Sequence, residues 1–351
     1  MSSDDVDSDN CPLPLTQYPE IVLAHGGGGA LTQELLDRIV LPAFANPILD
    51  AQHDGAVLEF ADQRLAFTSD SFVVRPWAFP GGDIGDLAVN GTVNDLLMCG
   101  AEPRYLSVAL ILEEGFAISD LQRVVRSMSA AAKRAGVTVV TGDTKVVDRG
   151  HGDGIYINTT GIGVIAHGRS ITPAAVRGDD VVILSGDIAR HGIAVMAARE
   201  GLEFAPPVLS DTAALCGPVG ALLAAGIDVH CLRDPTRGGL ATSLIEIAGT
   251  AGVSITIDEA AIAVAADVRG ACELLGLDPL YVANEGRFIA FVPAAAAPRA
   301  IAALAADPAS RDACVIGHVS DGVPGEVIAQ TVIGGERVLD RMSGEQLPRI
   351  C

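Results

Sequence analysis

His167-Gly168-Arg169-Ser170-Ile171-Thr172-Pro173, followed by Val181-Val182-Ile183-Leu184-Ser185-Gly186, divides this chain in two. The first stretch is polar and contains both a glycine and a proline. The second is an aliphatic, β-branched run closed by glycine, as at the start of a new strand. N-terminal to this break, residues 57–60, 65–68, 137–141 and 155–165 read as strands. Residues 31–40, 84–98 and 121–135 carry apolar side chains at three- and four-residue spacing, the period of amphipathic helices. The mixture repeats beyond the break, with strands near Val181, Ile255 and Phe288 and helices near Ile193, Leu240 and Ala266. The Ala- and Pro-rich segment 293–308 reads as a surface helix with flanking turns. The pattern predicts an α/β (α+β) protein of two domains, which a length of 351 residues accommodates. The expected divisions are a disordered acidic leader at 1–19, domains at 20–167 and 168–336, and a flexible tail at 337–351 with no obvious core face.

The formal charge of -21 argues against a nucleic-acid or anionic-membrane partner, since like charges repel. No apolar run reaches the roughly 18 residues that a spanning helix needs. The longest uncharged run, 212–227, is interrupted by Gly217, Pro218 and Gly220. Asp4, Asp5, Asp7 and Asp9 stand where a secretory signal would be basic, so a cytoplasmic protein is expected. Seven cysteines without paired spacing read as reduced thiols. Cys99, Cys216, Cys231, Cys272 and Cys314 sit among apolar neighbours and read as core.

Four aspartates stand at expected strand ends or helix starts: Asp54 in His53-Asp54-Gly55, Asp70 in Thr68-Ser69-Asp70-Ser71, Asp95 after Asn94, and Asp143 in Thr141-Gly142-Asp143-Thr144-Lys145. Hard oxygen donors of this kind suit Mg²⁺ carrying a nucleotide. Each alone reads equally as a turn or helix-cap residue; four in one half make a stronger case. Gly26-Gly27-Gly28-Gly29 precedes the first helix, where backbone amides can meet phosphate or serve as a hinge. Asp234-Pro235-Thr236-Arg237-Gly238-Gly239 places glycines and a cation at another helix start. The chain ends on a thiol, Leu347-Pro348-Arg349-Ile350-Cys351, and a thiol on a mobile tip can travel to a site.

Together, Asp70, Asn94-Asp95, Thr141-Gly142-Asp143 and the Asp234 to Gly239 segment resemble the PurM-like ATP-utilising superfamily. Within it, the His25-Gly26-Gly27-Gly28-Gly29 start, Val139 to Val147 and the Pro348-Arg349-Ile350-Cys351 ending resemble the HypE family of hydrogenase maturation factors, from about Ile21 to the C-terminus. The resemblance implies a homodimer whose N-terminal domains pair into a shared β-barrel, each followed by a C-terminal α/β sandwich. It implies that a carbamoyltransferase loads Cys351 with a carbamoyl group. ATP then drives dehydration of that thiocarbamate to a thiocyanate, and a scaffold complex receives the cyano group for the iron of [NiFe]-hydrogenase. ATP and Mg²⁺ are the implied cofactors. Asp54, Asp70, Asp95 and Asp143 would face the metal, and Gly26, Gly27, Gly28, Gly29, Asn94, Thr141, Gly142, Asp234 and Arg237 the nucleotide. Lys145, His151 and Glu285 are the implied candidates, beside Cys351, for moving charge and protons.

Two other functions compete. A PurM-like synthetase or kinase acting on a small metabolite would keep the ATP site but leave the terminal cysteine unexplained. A non-enzymatic thiol carrier would use the cysteine without ATP turnover. An ion pair would account for Lys145 and Glu285 structurally, and surface placement for His151.

Overall fold

The computed structural model describes residues 20–342 and 349–351. The acidic leader and Pro348 lie outside the described residues. The chain enters through α1 (Ala30–Leu35) and α2 (Leu41–Phe44), joined by a π-turn at Leu36–Val40. Then come β1 (Ala56–Phe60), β2 (Gln63–Phe72), a short hairpin of β3 (Ala78–Phe79) and β4 (Gly82–Asp83), α3 (Ile84–Met98), β5 (Glu102–Glu113), α4 (Ile118–Ala135), β6 (Thr138–Val147) and β7 (Ile155–Ile165). The long strands form one sheet in the order β1-β2-β7-β5-β6, antiparallel except for the parallel β5-β6 pair.

Helix α3 packs on β2 and β7 and beneath α4. Its start is held by a capping box: the Asp83 carboxylate accepts from the amides of Gly85 and Asp86, while Asp86 accepts from the Asp83 amide. A side chain at Gly85 would run into Val124 and Ser127 of α4, so glycine permits the close crossing. The helix is buried almost end to end, and most of its polar side chains are committed to bonds. The Asn94 amide donates to the carbonyls of Ala213 and Glu285 and accepts from the Leu215 amide, while Asn90 donates to Thr212. These bonds tie α3 to the second half of the chain.

The second half holds β8 (Asp180–Leu184), α5 (Arg190–Glu200), α6 (Cys216–Ala224), β9 (Cys231–Arg233), α7 (Gly239–Ala251), β10 (Ser254–Asp258), α8 (Ala266–Leu275), β11 (Ile289–Pro293), α9 (Ala297–Leu304), β12 (Cys314–Ser320), β13 (Val327–Gln330) and β14 (Glu336–Val338). Its sheet runs β14-β13-β10-β12-β8-β11-β9. One apolar core is continuous across the halves, from Phe72, Leu87 and Leu106 to Val195, Phe288 and the terminal Ile350. Among the described residues, no helix is long and apolar enough to cross a membrane. Cys99, Cys231 and Cys272 are buried as expected, whereas Cys216 and Cys314 are half-exposed.

The expectation that the chain leaves the fold at 337 is corrected. Strand β14 pairs with β13, Leu339 is buried, and Arg337 bridges Glu259 and Asp278 at 2.8 Å each. The segment is too polar to show a core face in sequence because its attachment is by backbone ladder and ion pairs. Helix α9 likewise buries Ala297, Ala300 and Leu304, small residues whose inward face the alanine-rich sequence conceals.

Strand β6 is exposed along nearly its whole length, on both faces. Gly142 sits within it where a Cβ would collide with the Val108 carbonyl of β5, so this glycine has a packing reason irrespective of any ligand. Gly142→Ala is expected to cost about 1–3 kcal/mol, the usual penalty of overpacking. Chemical denaturation of the variant checks this, and an unchanged midpoint would mean that β6 is not seated as described.

Candidate active site

Five carboxylates converge at the seam between the halves. Asp70 comes from β2 and Asp95 from α3, Asp54 from the turn before β1, Asp234 from the turn after β9, and Glu285 from the loop before β11. With Thr68, Gly91, Arg233, Arg237 and Cys351 they line a hollow of about 230 Å³. Thr68 Oγ1 donates to Asp95 Oδ2 at 2.9 Å, and Arg233 holds Asp54 Oδ1 at 2.9 Å and Glu246 at 2.6 Å. The Glu285 loop is pinned by Asp211, whose carboxylate accepts from the amides of Glu285 and Gly286. Gly91 leaves room on α3 for Phe72 and lies beneath the Glu285 carboxylate.

Charges packed this way resist ionisation. Burial, then Asp234, Asp70 and Asp54, hold Asp95 well above the ordinary carboxylate range. Burial and Asp54 push Asp234 up to about 8. Glu285 is raised by burial and by Asp234 and Asp70, and Asp70 by burial against the opposing pull of Arg237. Two buried oxygens, Asp54 Oδ2 and Glu285 Oε1, have no hydrogen-bond partner. Among the described residues no three His, Cys, Asp or Glu side chains form a ready metal cage. Mg²⁺ needs only one or two carboxylates and takes its other ligands from phosphate and water. A crowded set of hard oxygens, two of them without a partner, therefore fits a divalent cation that arrives with a nucleotide.

The C-terminus is inserted into this hollow. Cys351 and Ile350 are buried, and Cys351 is seated beside Arg237, Glu285 and Asp70. The Arg349 guanidinium donates to the Val73 carbonyl and to Asp153 Oδ2 at 2.6 Å, and lies 5.8 Å from the Tyr156 ring centre. Burial pushes the Cys351 thiol up to about 12; Arg237 opposes this, and Glu285, Asp70 and Asp234 add to it. Arg237, then, and not Arg349, is the cation that faces the thiol. Gly26 and Gly27 line an adjoining space of about 330 Å³ with Arg237 and the three tail residues, and Gly28 lies against Arg237.

Comparison with known proteins identifies the chain. Two family models match, the AIR synthase related protein N-terminal domain over residues 52–165 and its C-terminal domain over 177–330. The carbamoyl dehydratase HypE of Azotobacter vinelandii is 49% identical over 331 residues, 94% of this chain and 97% of that protein. The chain belongs to the HypE family. A solved HypE in complex with HypF superposes with a TM-score of 0.84 at 44% identity, covering 88% of this chain and 99% of the other. A HypE solved in complex with ATP gives 0.80 at 46% identity, covering 93% and 98%. The mixed α/β, two-domain PurM-like architecture is thus that of HypE proteins.

Against the HypE motifs, the single chain brings together Asp54, Asp70, Asp95, Asp234, Arg237, Glu285 and Cys351, with Gly26, Gly27 and Gly28 at the edge. Gly29 caps the start of α1. It does not bring Thr141, Asp143, Lys145 or His151 to the hollow. Asp143 and Lys145 pair with each other on exposed β6 at 2.6 Å, and the His151 amide bonds Asp148 in an exposed turn. Both ends of the Asn94 amide are spent on backbone, so its side chain serves as a strut between the halves. Sequence reasoning missed Arg233, Asp211, Asp153, Tyr156, His191 and Ser210. None lies in a motif, and only the cation Arg233 beside Asp234 offered a signal.

Raised acid pKa values set a sign for stability. A carboxyl group that titrates near 3.8 when unfolded and near 8 when folded, as for Asp234, takes up protons on folding. The metal-free protein therefore loses stability as pH climbs from about 4 to about 8. Asp95→Asn removes one of the repelling charges. In chelator-treated protein it is expected to raise the thermal midpoint more at pH 8 than at pH 5; a fall at pH 8 would mean that Asp95 is favourably paired.

Proposed function

We propose that this chain dehydrates a carbamoyl group carried on its own Cys351, producing a protein thiocyanate at the expense of ATP. The observation that carries the reading is the terminal thiol lodged inside the carboxylate hollow, where the tail is at once part of the enzyme and its substrate. The solved complexes of HypE relatives with ATP and with HypF support the nucleotide and the loading partner.

The thiocarbamate is uncharged, so a buried seat suits it, while a free thiol there is held protonated and poorly nucleophilic. Loading by the carbamoyltransferase therefore takes place with the tail withdrawn. On return, the carbamoyl oxygen attacks the γ-phosphorus of ATP; the bond to the β-phosphate oxygen breaks and ADP leaves. The nitrogen gives up two protons in all, and phosphate departs with the former carbamoyl oxygen as the C≡N bond forms.

Glu285 is the proposed proton acceptor. Its unpartnered, buried Oε1 lies beside the tail tip; burial, Asp234 and Asp70 oppose its ionisation while Arg237 favours it, and the ionised form would be a strong base. Arg237 balances charge on the transferring group, and Gly26 and Gly27 line the space in which phosphate oxygens would lie. Asp54, Asp70, Asp95 and Asp234 would hold Mg²⁺, which when bound offsets phosphate charge.

Asp143, Lys145 and Thr141 enter through a second copy in this reading. Exposed β6, with Val139, Val140 and Val146, and its sheet neighbours Tyr105, Ile111 and Ile162 form an apolar surface of the kind that a homodimer covers. Pairing there would carry these residues of the partner copy toward the hollow. A scaffold complex of other maturation factors then takes the cyano group.

The test is the mass of the C-terminal peptide. The protein is loaded by the carbamoyltransferase, freed of nucleotide, and then given Mg-ATP. Loss of one water from Cys351 only after ATP is added is the expected result. Persistence of the carbamoyl mass while ATP is consumed would reduce the chain to a carrier. Cys351→Ala should bind ATP normally and yield no thiocyanate. Asp95→Asn should weaken Mg-ATP binding in a magnesium titration followed by calorimetry.

A further inference from the structure

The docked tail is read by its backbone as well as by its thiol. Arg349 stands at φ 51°, and its carbonyl accepts from the Arg75 amide at 3.3 Å and from the Arg199 guanidinium at 2.7 Å. The terminal carboxylate of Cys351 accepts from the Val73 amide at 3.0 Å. Val73 and Arg75 continue the strand that carries Asp70, so the tail lies beside that strand in fixed register. The carbonyl between these two, that of Ile350, is buried and has a different donor. It accepts from His191 Nε2 at 2.8 Å.

His191 is fully buried near the start of α5, edge-on to Phe79 with ring centres 5.3 Å apart. Its other nitrogen, Nδ1, lies 2.8 Å from Ser210 Oγ. That hydroxyl also accepts from the Thr212 amide at 3.1 Å. The Ile350 carbonyl can only accept, so in the neutral ring Nε2 carries the hydrogen and Nδ1 is left to accept from the Ser210 hydroxyl. Ser210 is itself placed by the N-terminal half, through its amide to the Pro80 carbonyl at 2.8 Å and the tight approach of Gly81, whose φ is 95°. Two side chains of the second half, one of them placed by the first half, thus combine to present a single aimed donor to the tail. Ala189, two residues before His191, occupies φ 75° and bonds Asn284 Oδ1 at 2.7 Å, which joins the start of α5 to the Glu285 loop.

We infer that His191, oriented by Ser210, is a positioning residue that latches the tail through the Ile350 carbonyl and so sets the depth of Cys351 in the hollow. It does not touch the reacting atoms. Its absence leaves a buried carbonyl without a donor, which disfavours the docked tail relative to the withdrawn one. Tail release for loading and tail docking for dehydration would then be balanced by this bond.

The kinetic consequence rests on the proposed dehydration; the docking consequence does not, and the experiment reads both. In the full-length, unloaded protein, alkylation of Cys351 by iodoacetamide is followed by C-terminal peptide mass. His191→Ala is expected to speed it on the order of ten-fold, Ser210→Ala to speed it less, and His191→Gln, which retains an N–H donor, to stay near wild type. In carbamoyl-loaded protein, His191→Ala should slow ATP-driven water loss by about the same factor, with nucleotide affinity unchanged and the glutamine variant rescuing. If wild type never loses water, the dehydratase reading fails while the alkylation rates still decide the latch. Equal alkylation in wild type and in folded His191→Ala would overturn the latch. Should His191→Ala not fold, equal alkylation in folded Ser210→Ala would overturn it instead.

Discussion

Repulsion among buried carboxylates is the constraint around which this molecule is arranged. Asp54, Asp70, Asp95, Asp234 and Glu285 come from five separate elements of both halves, and each raises the cost of ionising another. Such a cluster has no value to stability; it survives because the surrounding fold over-determines it. Arg233 ties Asp54 to Glu246, Asp211 pins the Glu285 loop, and the Asn94 amide bridges the halves below. The continuous apolar core beneath supplies the stability against which this repulsion is set.

The same burial gives the tail its character. A thiol in this hollow is neutral, and a neutral thiocarbamate is the kind of group that the site can accept without further desolvation cost. In the proposed function, the carbamoyl-accepting and carbamoyl-consuming states belong to different positions of one short segment. The sheet holds the chain as far as Leu339, leaving eleven residues after Asp340. Fully extended they span about 35–40 Å, reach enough for the tail movement that the proposed function requires. Return to one place requires more than reach. Contacts to the Arg349 and Ile350 carbonyls and to the terminal carboxylate, the buried Ile350 side chain and the Arg349 fork make the chain end a wall of the site.

The exposed edge at β6 bears on the remaining residues of the family pattern. Thr141, Asp143 and Lys145 stand on a strand exposed on both faces, an unprotected edge of the sort that natural sheets cover or pair. Their distance from the hollow within one chain and the apolar character of their sheet are two aspects of the same geometry. A second copy would resolve both.

Much of this was legible in the order of residues. Strand and helix periods, the break at His167 to Pro173, the glycines beside acidic residues and the terminal Pro-Arg-Ile-Cys are local features, determined by side-chain spacing and backbone permissiveness over a few residues. From them came the two-domain α/β form, the HypE resemblance and most of the acidic site. Short strands such as β9 and β14, three residues each, left no period to read. Only the tertiary structure decided which aspartates share a hollow, that Asn94 is a strut, that Arg237 faces the thiol, and that His191 meets a carbonyl 159 positions away. Those relations depend on where a buried helix and two loops cross, and contacts of such sequence separation are set by packing of the whole chain, which no local pattern encodes.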